Sequence, residues 1–130
     1  MTIPGPMARL GARLGLPAAL AVGALLAGCG GNPTTRIEGH RLDLRMDEFR
    51  YRPQKVEVRR GQLEIRGRNV GRLAHNVNVW HEDQELASAK SVQPGGTARL
   101  RVRLGRGTYR LECSVGNHDD LGMYGTLIVR

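Results

Sequence analysis

The feature that most constrains this chain is a strict alternation of apolar with polar or charged side chains from Leu42 onward. Asp43 and Arg45 separate Leu42, Leu44 and Met46, while Val56 and Val58 alternate with Lys55, Glu57 and Arg59. Leu63 and Ile65 follow Gly61. His75, Val77 and Val79 share one phase, as do Ala98, Leu100, Val102 and Leu104. Tyr109, Leu111 and Cys113, then Gly125, Leu127 and Val129, complete the series. A period of two sends successive side chains to opposite faces of a strand, so each run has one apolar and one wet face. Gly61, Asn69-Val70-Gly71, Pro94-Gly95-Gly96 and Gly105-Arg106-Gly107 punctuate the runs with turn chemistry. About seven or eight short strands spaced in this way predict an all-β sandwich. Only Glu82 to Ser91 lacks the pattern, and a helical turn or two is expected there.

The N-terminal third is different. Arg9 and Arg13 precede the apolar run Leu14 to Leu26, and Leu26-Ala27-Gly28-Cys29 follows. A basic start, an apolar stretch and a small-residue exit describe a secretory signal peptide. The run is broken by Pro17 and Gly23 and is too short to cross a hydrocarbon layer of about 30 Å. Leu-Ala-Gly-Cys resembles the lipobox of bacterial lipoproteins, which implies cleavage before Cys29 and diacylglycerol on its thiol. Two or more acyl chains hold a protein stably on a membrane where one does not. The expected organisation is a lipoprotein signal peptide over 1–28, a lipidated tether over 29–40 and the folded domain over 41–130. A tether of about ten residues reaches at most roughly 35 Å, so the domain stays close to the bilayer on its extracytoplasmic side.

The formal charge of +8 falls to +6 without Arg9 and Arg13. The arginines are spread singly, as in Arg99-Leu100-Arg101-Val102-Arg103, which is the solvent face of a strand without an aromatic platform. Nucleic acid is therefore not an expected partner. Glu48, Glu57 and Glu64 are expected on outer strand faces, which gives no paired carboxylates for acid–base chemistry, and no enzyme is expected. His40 and His81 are expected at the surface. Of the two cysteines, a lipidated Cys29 cannot form a disulfide, which leaves Cys113 as a lone thiol in an oxidising compartment. A ligand role accounts for it.

Cys113 shares its face with Tyr109 and Leu111, and His75 shares its face with Val77 and Val79, so both point inward from strand ends. Five residues after Cys113 comes His118, and five after that comes Met123. One loop thus supplies a thiolate, an imidazole and a thioether, and the distant His75 adds a second imidazole. Taken singly, each has an ordinary structural explanation. Together, two His and one Cys with a weak axial Met form the set that copper uses for electron transfer. Zinc prefers a harder fourth ligand than a thioether.

Gln54 to Gly61, then Asn69-Val70-Gly71 leading to His75-Asn76, resembles the first half of plastocyanin- and azurin-like cupredoxins, the type 1 blue copper proteins. Gly107 to Cys113, the loop, and Gly122 to Val129 resemble the second half. The resemblance implies a Greek-key β-sandwich with one type 1 copper per chain, with His75, Cys113 and His118 equatorial and Met123 axial. It also implies that Asn76 hydrogen-bonds near Ser114 and holds Cys113 in place, and that His118 shows its ring edge to solvent as the electron exit. Asp119 and Asp120 depart from the small apolar residues that family members often carry beside that histidine. The expected function is a monomeric, membrane-anchored extracytoplasmic carrier of single electrons between a redox protein donor and acceptor. The alternative is copper binding for delivery or storage.

Overall fold

The computed structural model describes residues 30–130 together with Met1 and Thr2; Cys29 and the expected signal peptide lie outside the described residues. Among the described residues ten strands form: β1 (Thr34–Ile37), β2 (Arg41–Asp47), β3 (Arg50–Arg52), β4 (Lys55–Val58), β5 (Gly61–Asn69), β6 (Asn78–His81), β7 (Gln84–Ser88), β8 (Thr97–Leu104), β9 (Gly107–Glu112) and β10 (Tyr124–Val129). They make two sheets, a six-stranded one ordered β1-β4-β10-β9-β6-β7 and a four-stranded one ordered β3-β2-β5-β8.

Alternation sets the layers. In β2, Leu42, Leu44 and Met46 are buried while Arg41, Asp43 and Arg45 are exposed, and β8 repeats this with four buried and three exposed positions. The inward residues of both sheets, among them Val56, Leu63, Ile65, Val79, Leu111 and Leu127, meet in one core. The register locks that phase. β2 lies parallel to β5 with Leu42 opposite Ile65, and β5 lies antiparallel to β8 with Ile65 opposite Leu100. A slip of one residue would turn every arginine of the outer face inward.

Three strands were not foreseen, and all are short edge or near-edge pieces. β1 pairs parallel to β4 with Thr34 opposite Lys55, so part of the expected tether belongs to the sheet. β3 folds back on β2. β7 replaces the helical turn expected over Glu82 to Ser91; it is an edge strand, exposed at four of its five positions, so no alternation marks it. Trp80 follows the inward Val79 and so falls on the other face of β6, and the β6–β7 register shifts between these two residues.

Glu57, between the inward Val56 and Val58, sits on the outer side of β4 but is only 7% exposed, because Arg36 and Arg130 take its two oxygens at 2.8 and 2.7 Å. Glu48 differs from expectation: it lies in the β2–β3 turn, off any strand, and faces the site described next. Glu64 does sit on the outer side of β5, paired with Arg66 at 3.0 Å. His40 and His81 are exposed.

Candidate metal centre

The site gathers where β2, β5 and β9 end and where β6 and β10 begin. Cys113 directly follows β9, and its N–H donates to the carbonyl of Met123 at 3.1 Å. The Met123 N–H donates to the His118 carbonyl at 2.9 Å, so the loop from Cys113 to Met123 closes on itself. Gly122 has φ +109 at the turn that makes this closure, a conformation open to glycine and costly for other residues. His75 comes from the loop between β5 and β6, held by a two-way backbone exchange with Val92 at 3.1 and 2.8 Å. Asn69 pins the approach to it. Its amide donates to the carbonyls of Leu73 and Val92, and its side-chain oxygen accepts the Gly71 N–H.

One ligand atom each from His75, Cys113 and His118 lies within 4.8 Å of the others. The Cys113 Sγ is 3.7 Å from Nδ1 of His118, and the two imidazole centroids are 5.0 Å apart. His75, Cys113 and Met123 are fully buried, and His118 is 8% exposed, so His118 alone of the four reaches solvent. Burial, and then the neighbouring His75, hold the His118 imidazole below its ordinary pKa, which favours the neutral ring that binds metal. The Nδ1 of His75 is buried without a hydrogen-bond partner. An orphaned buried polar atom costs free energy, and a metal ion between the three donors would satisfy it. Two imidazole nitrogens and one sulfur, dry and converging, fit copper.

Around these residues runs a second layer of bonds. Asn76 donates from Nδ2 to the Ser114 hydroxyl at 2.9 Å and to the Ala89 carbonyl at 3.3 Å, and its Oδ1 accepts the Ser114 N–H at 2.9 Å. This clamp ties the residue after His75 to the residue after Cys113. The Tyr51 hydroxyl, from β3, donates to the Asn76 carbonyl at 2.8 Å.

The β2–β3 turn contributes contacts that sequence reasoning missed. One Glu48 oxygen lies 3.2 Å from Nε2 of His75 and accepts the N–H groups of Leu73 and Arg72 at 3.0 and 2.6 Å. Those backbone bonds, Leu73 first, hold the Glu48 carboxyl down at a pKa of about 2. The next residue, Phe49, meets the His118 ring edge-on with centroids 5.0 Å apart. Phe49 has φ +54, where glycine or asparagine is usual, so the sequence carries no turn signal there.

The sequence matches no protein-family model and no curated protein. Solved structures do match. Dithionite-reduced auracyanin from the photosynthetic bacterium Roseiflexus castenholzii superposes with a TM-score of 0.65 at 19% identity, over 71% of this chain and 98% of that one. Auracyanin A, a "blue" copper protein from the green thermophilic photosynthetic bacterium Chloroflexus aurantiacus, gives 0.62 at 16% identity, over 74% and 100%. An azurin from the obligate methylotroph Methylomonas sp. strain J gives 0.62 at 13% identity, over 69% and 97%. With its two sheets, its core and its loop-borne His-Cys-His cluster arranged this way, the chain has the cupredoxin fold, shared with auracyanin and azurin.

Proposed function

We propose that this chain is a blue copper protein that carries single electrons between redox partners on the extracytoplasmic side of a membrane, anchored there by a lipid on Cys29. The observation that carries the reading is the buried convergence of three donors, with His75 Nδ1 otherwise unpartnered. His75, Cys113 and His118 would hold the metal, with Met123, fully buried and tied through its backbone to Cys113 and His118, as the weak fourth ligand. A copper ion there would supply a one-electron couple, since sulfur suits Cu(I) and imidazole serves both oxidation states. The protein's part is to keep the donors fixed and dry through the Asn76 clamp and the closed loop, so little rearrangement accompanies the change of charge. His118, the partly exposed ligand, is the exit for the electron. With four positions filled by side chains, no open site remains for a substrate, which argues against an enzyme. Donors this deeply buried also favour electron transfer over handing copper to an acceptor.

Optical and electron paramagnetic resonance spectra of the Cu(II) form test the reading. An intense thiolate-to-copper charge-transfer band in the visible is expected, abolished by Cys113→Ala. A colourless wild-type complex would overturn it. For the anchor, Cys29→Ala is expected to move the protein from the membrane fraction to the soluble one.

A further inference from the structure

Both imidazoles are braced by neighbouring residues of one turn, Glu48 against His75 and Phe49 against His118. The Glu48 contact determines more than position. An ionised carboxylate only accepts hydrogen bonds, so at 3.2 Å the Nε2 of His75 must be the donor and carry the ring proton. A neutral ring protonated on Nε2 has a bare lone pair on Nδ1, the buried atom without a partner. A doubly protonated ring would instead bury an N–H with nothing to accept it, which is costly.

The carboxylate is itself fixed. Its Oε1 accepts the Arg72 and Leu73 N–H groups, three and two residues before His75. Room for it exists because position 71 is glycine: a Cβ there would collide with Glu48 Oε1. One loop therefore holds the ligand and the group that orients it.

We propose that Glu48 is a positioning residue of the metal centre, setting the His75 tautomer with Nδ1 free for the metal and placing a negative charge behind that ligand. The tautomer assignment concerns the chain's own atoms. The effect of the charge rests on the copper reading: Cu(II) carries one more unit of charge than Cu(I), so a carboxylate behind His75 favours the oxidised form.

The test has two arms. In the metal-free, 15N-labelled protein, long-range 1H–15N spectra taken where His75 is neutral are expected to show the proton on Nε2. Glu48→Ala, and independently Gly71→Ala, which displaces the carboxylate without changing any charge, are expected to mix the two tautomers. In the copper-loaded protein, Glu48→Gln keeps an acceptor of the same shape but removes the charge. It is expected to raise the preference for Cu(I) over Cu(II) by about tenfold, a rise in potential of about 59 mV for one electron. A purely structural Glu48 would lower the melting temperature of these variants and leave tautomer and potential unmoved, which overturns the proposal. So does a proton on Nδ1 in the wild-type apo-protein. If wild-type protein with copper gives no charge-transfer band, the copper reading falls, and the apo tautomer alone decides the role of Glu48.

Discussion

Replacing Asn76 by alanine isolates the clamp between the two ligand segments from any contribution of metal. The change removes three hydrogen bonds: to the Ser114 hydroxyl at 2.9 Å, to the Ala89 carbonyl at 3.3 Å, and from the Ser114 N–H at 2.9 Å. A typical intramolecular hydrogen bond contributes about 1 kcal/mol net, and a buried partner left unpaired costs somewhat more. Ser114 is exposed and water can reach it, whereas Ala89 is buried and cannot be rescued in this way. The expected loss is about 2–3 kcal/mol for the metal-free protein. For a domain near 100 residues that corresponds to a fall of roughly 10–20 °C in Tm. Ser114→Ala removes only the hydroxyl acceptor and is expected to cost about 1 kcal/mol. Urea and thermal unfolding of the apo-protein, wild type against the two variants, measures both. If Asn76→Ala costs no more than Ser114→Ala, the two backbone-directed bonds contribute nothing and the clamp argument fails.

Two further outcomes follow from groups packed around the site. Burial, with the neighbouring Cys113 and Glu112 adding to it, pushes the Tyr51 phenol above its ordinary pKa of 10.0. Because the folded-state pKa is raised, the stabilisation is complete below pH 10 and is lost as pH climbs beyond that unfolded value. Alkaline difference spectra should therefore show Tyr51 ionising only as the chain unfolds, and Tyr51→Phe should remove that component while costing about 1 kcal/mol through the unpaired Asn76 carbonyl. Gly125→Ala would put a Cβ 2.8 Å from the Gln54 carbonyl, a backbone atom that cannot rotate away, and is expected to cost about 1–3 kcal/mol. Gly67→Ala meets the Met46 sulfur at 2.7 Å instead, and a flexible thioether can yield, so its cost by the same melting assay should be smaller.

The core and the convergence of His75, Cys113 and His118 were legible in the sequence for a common reason. Leu42 to Met46, Ala98 to Leu104 and Tyr109 to Cys113 must alternate to keep one face dry, and that demand is written directly in residue type. The same phase sends His75 and Cys113 inward, while the spacing Cys113, His118, Met123 sets one loop's candidate donors apart from chance. What escaped notice obeys weaker rules. β7 packs almost nothing, so its residues Gln84 to Ser88 have no periodicity to show. β1 draws its place from backbone pairing with β4, which any side chain can supply. Glu48 reads as an outer-face strand residue, yet its orientation is fixed by a turn whose second residue, Phe49, takes a positive φ that nothing in its chemistry announces.

The pairing of β4 has a consequence for how the molecule comes into being. β4 is gripped on one side by the first strand and on the other by the last, both parallel to it. Parallel neighbours far apart in sequence close only after long loops have been organised, so assembly is slow compared with a helical domain. The final six-residue strand, which also carries the turn bearing Met123, must arrive before the larger sheet can be continuous. Until synthesis reaches the C-terminus the polypeptide has no complete sandwich to collapse into.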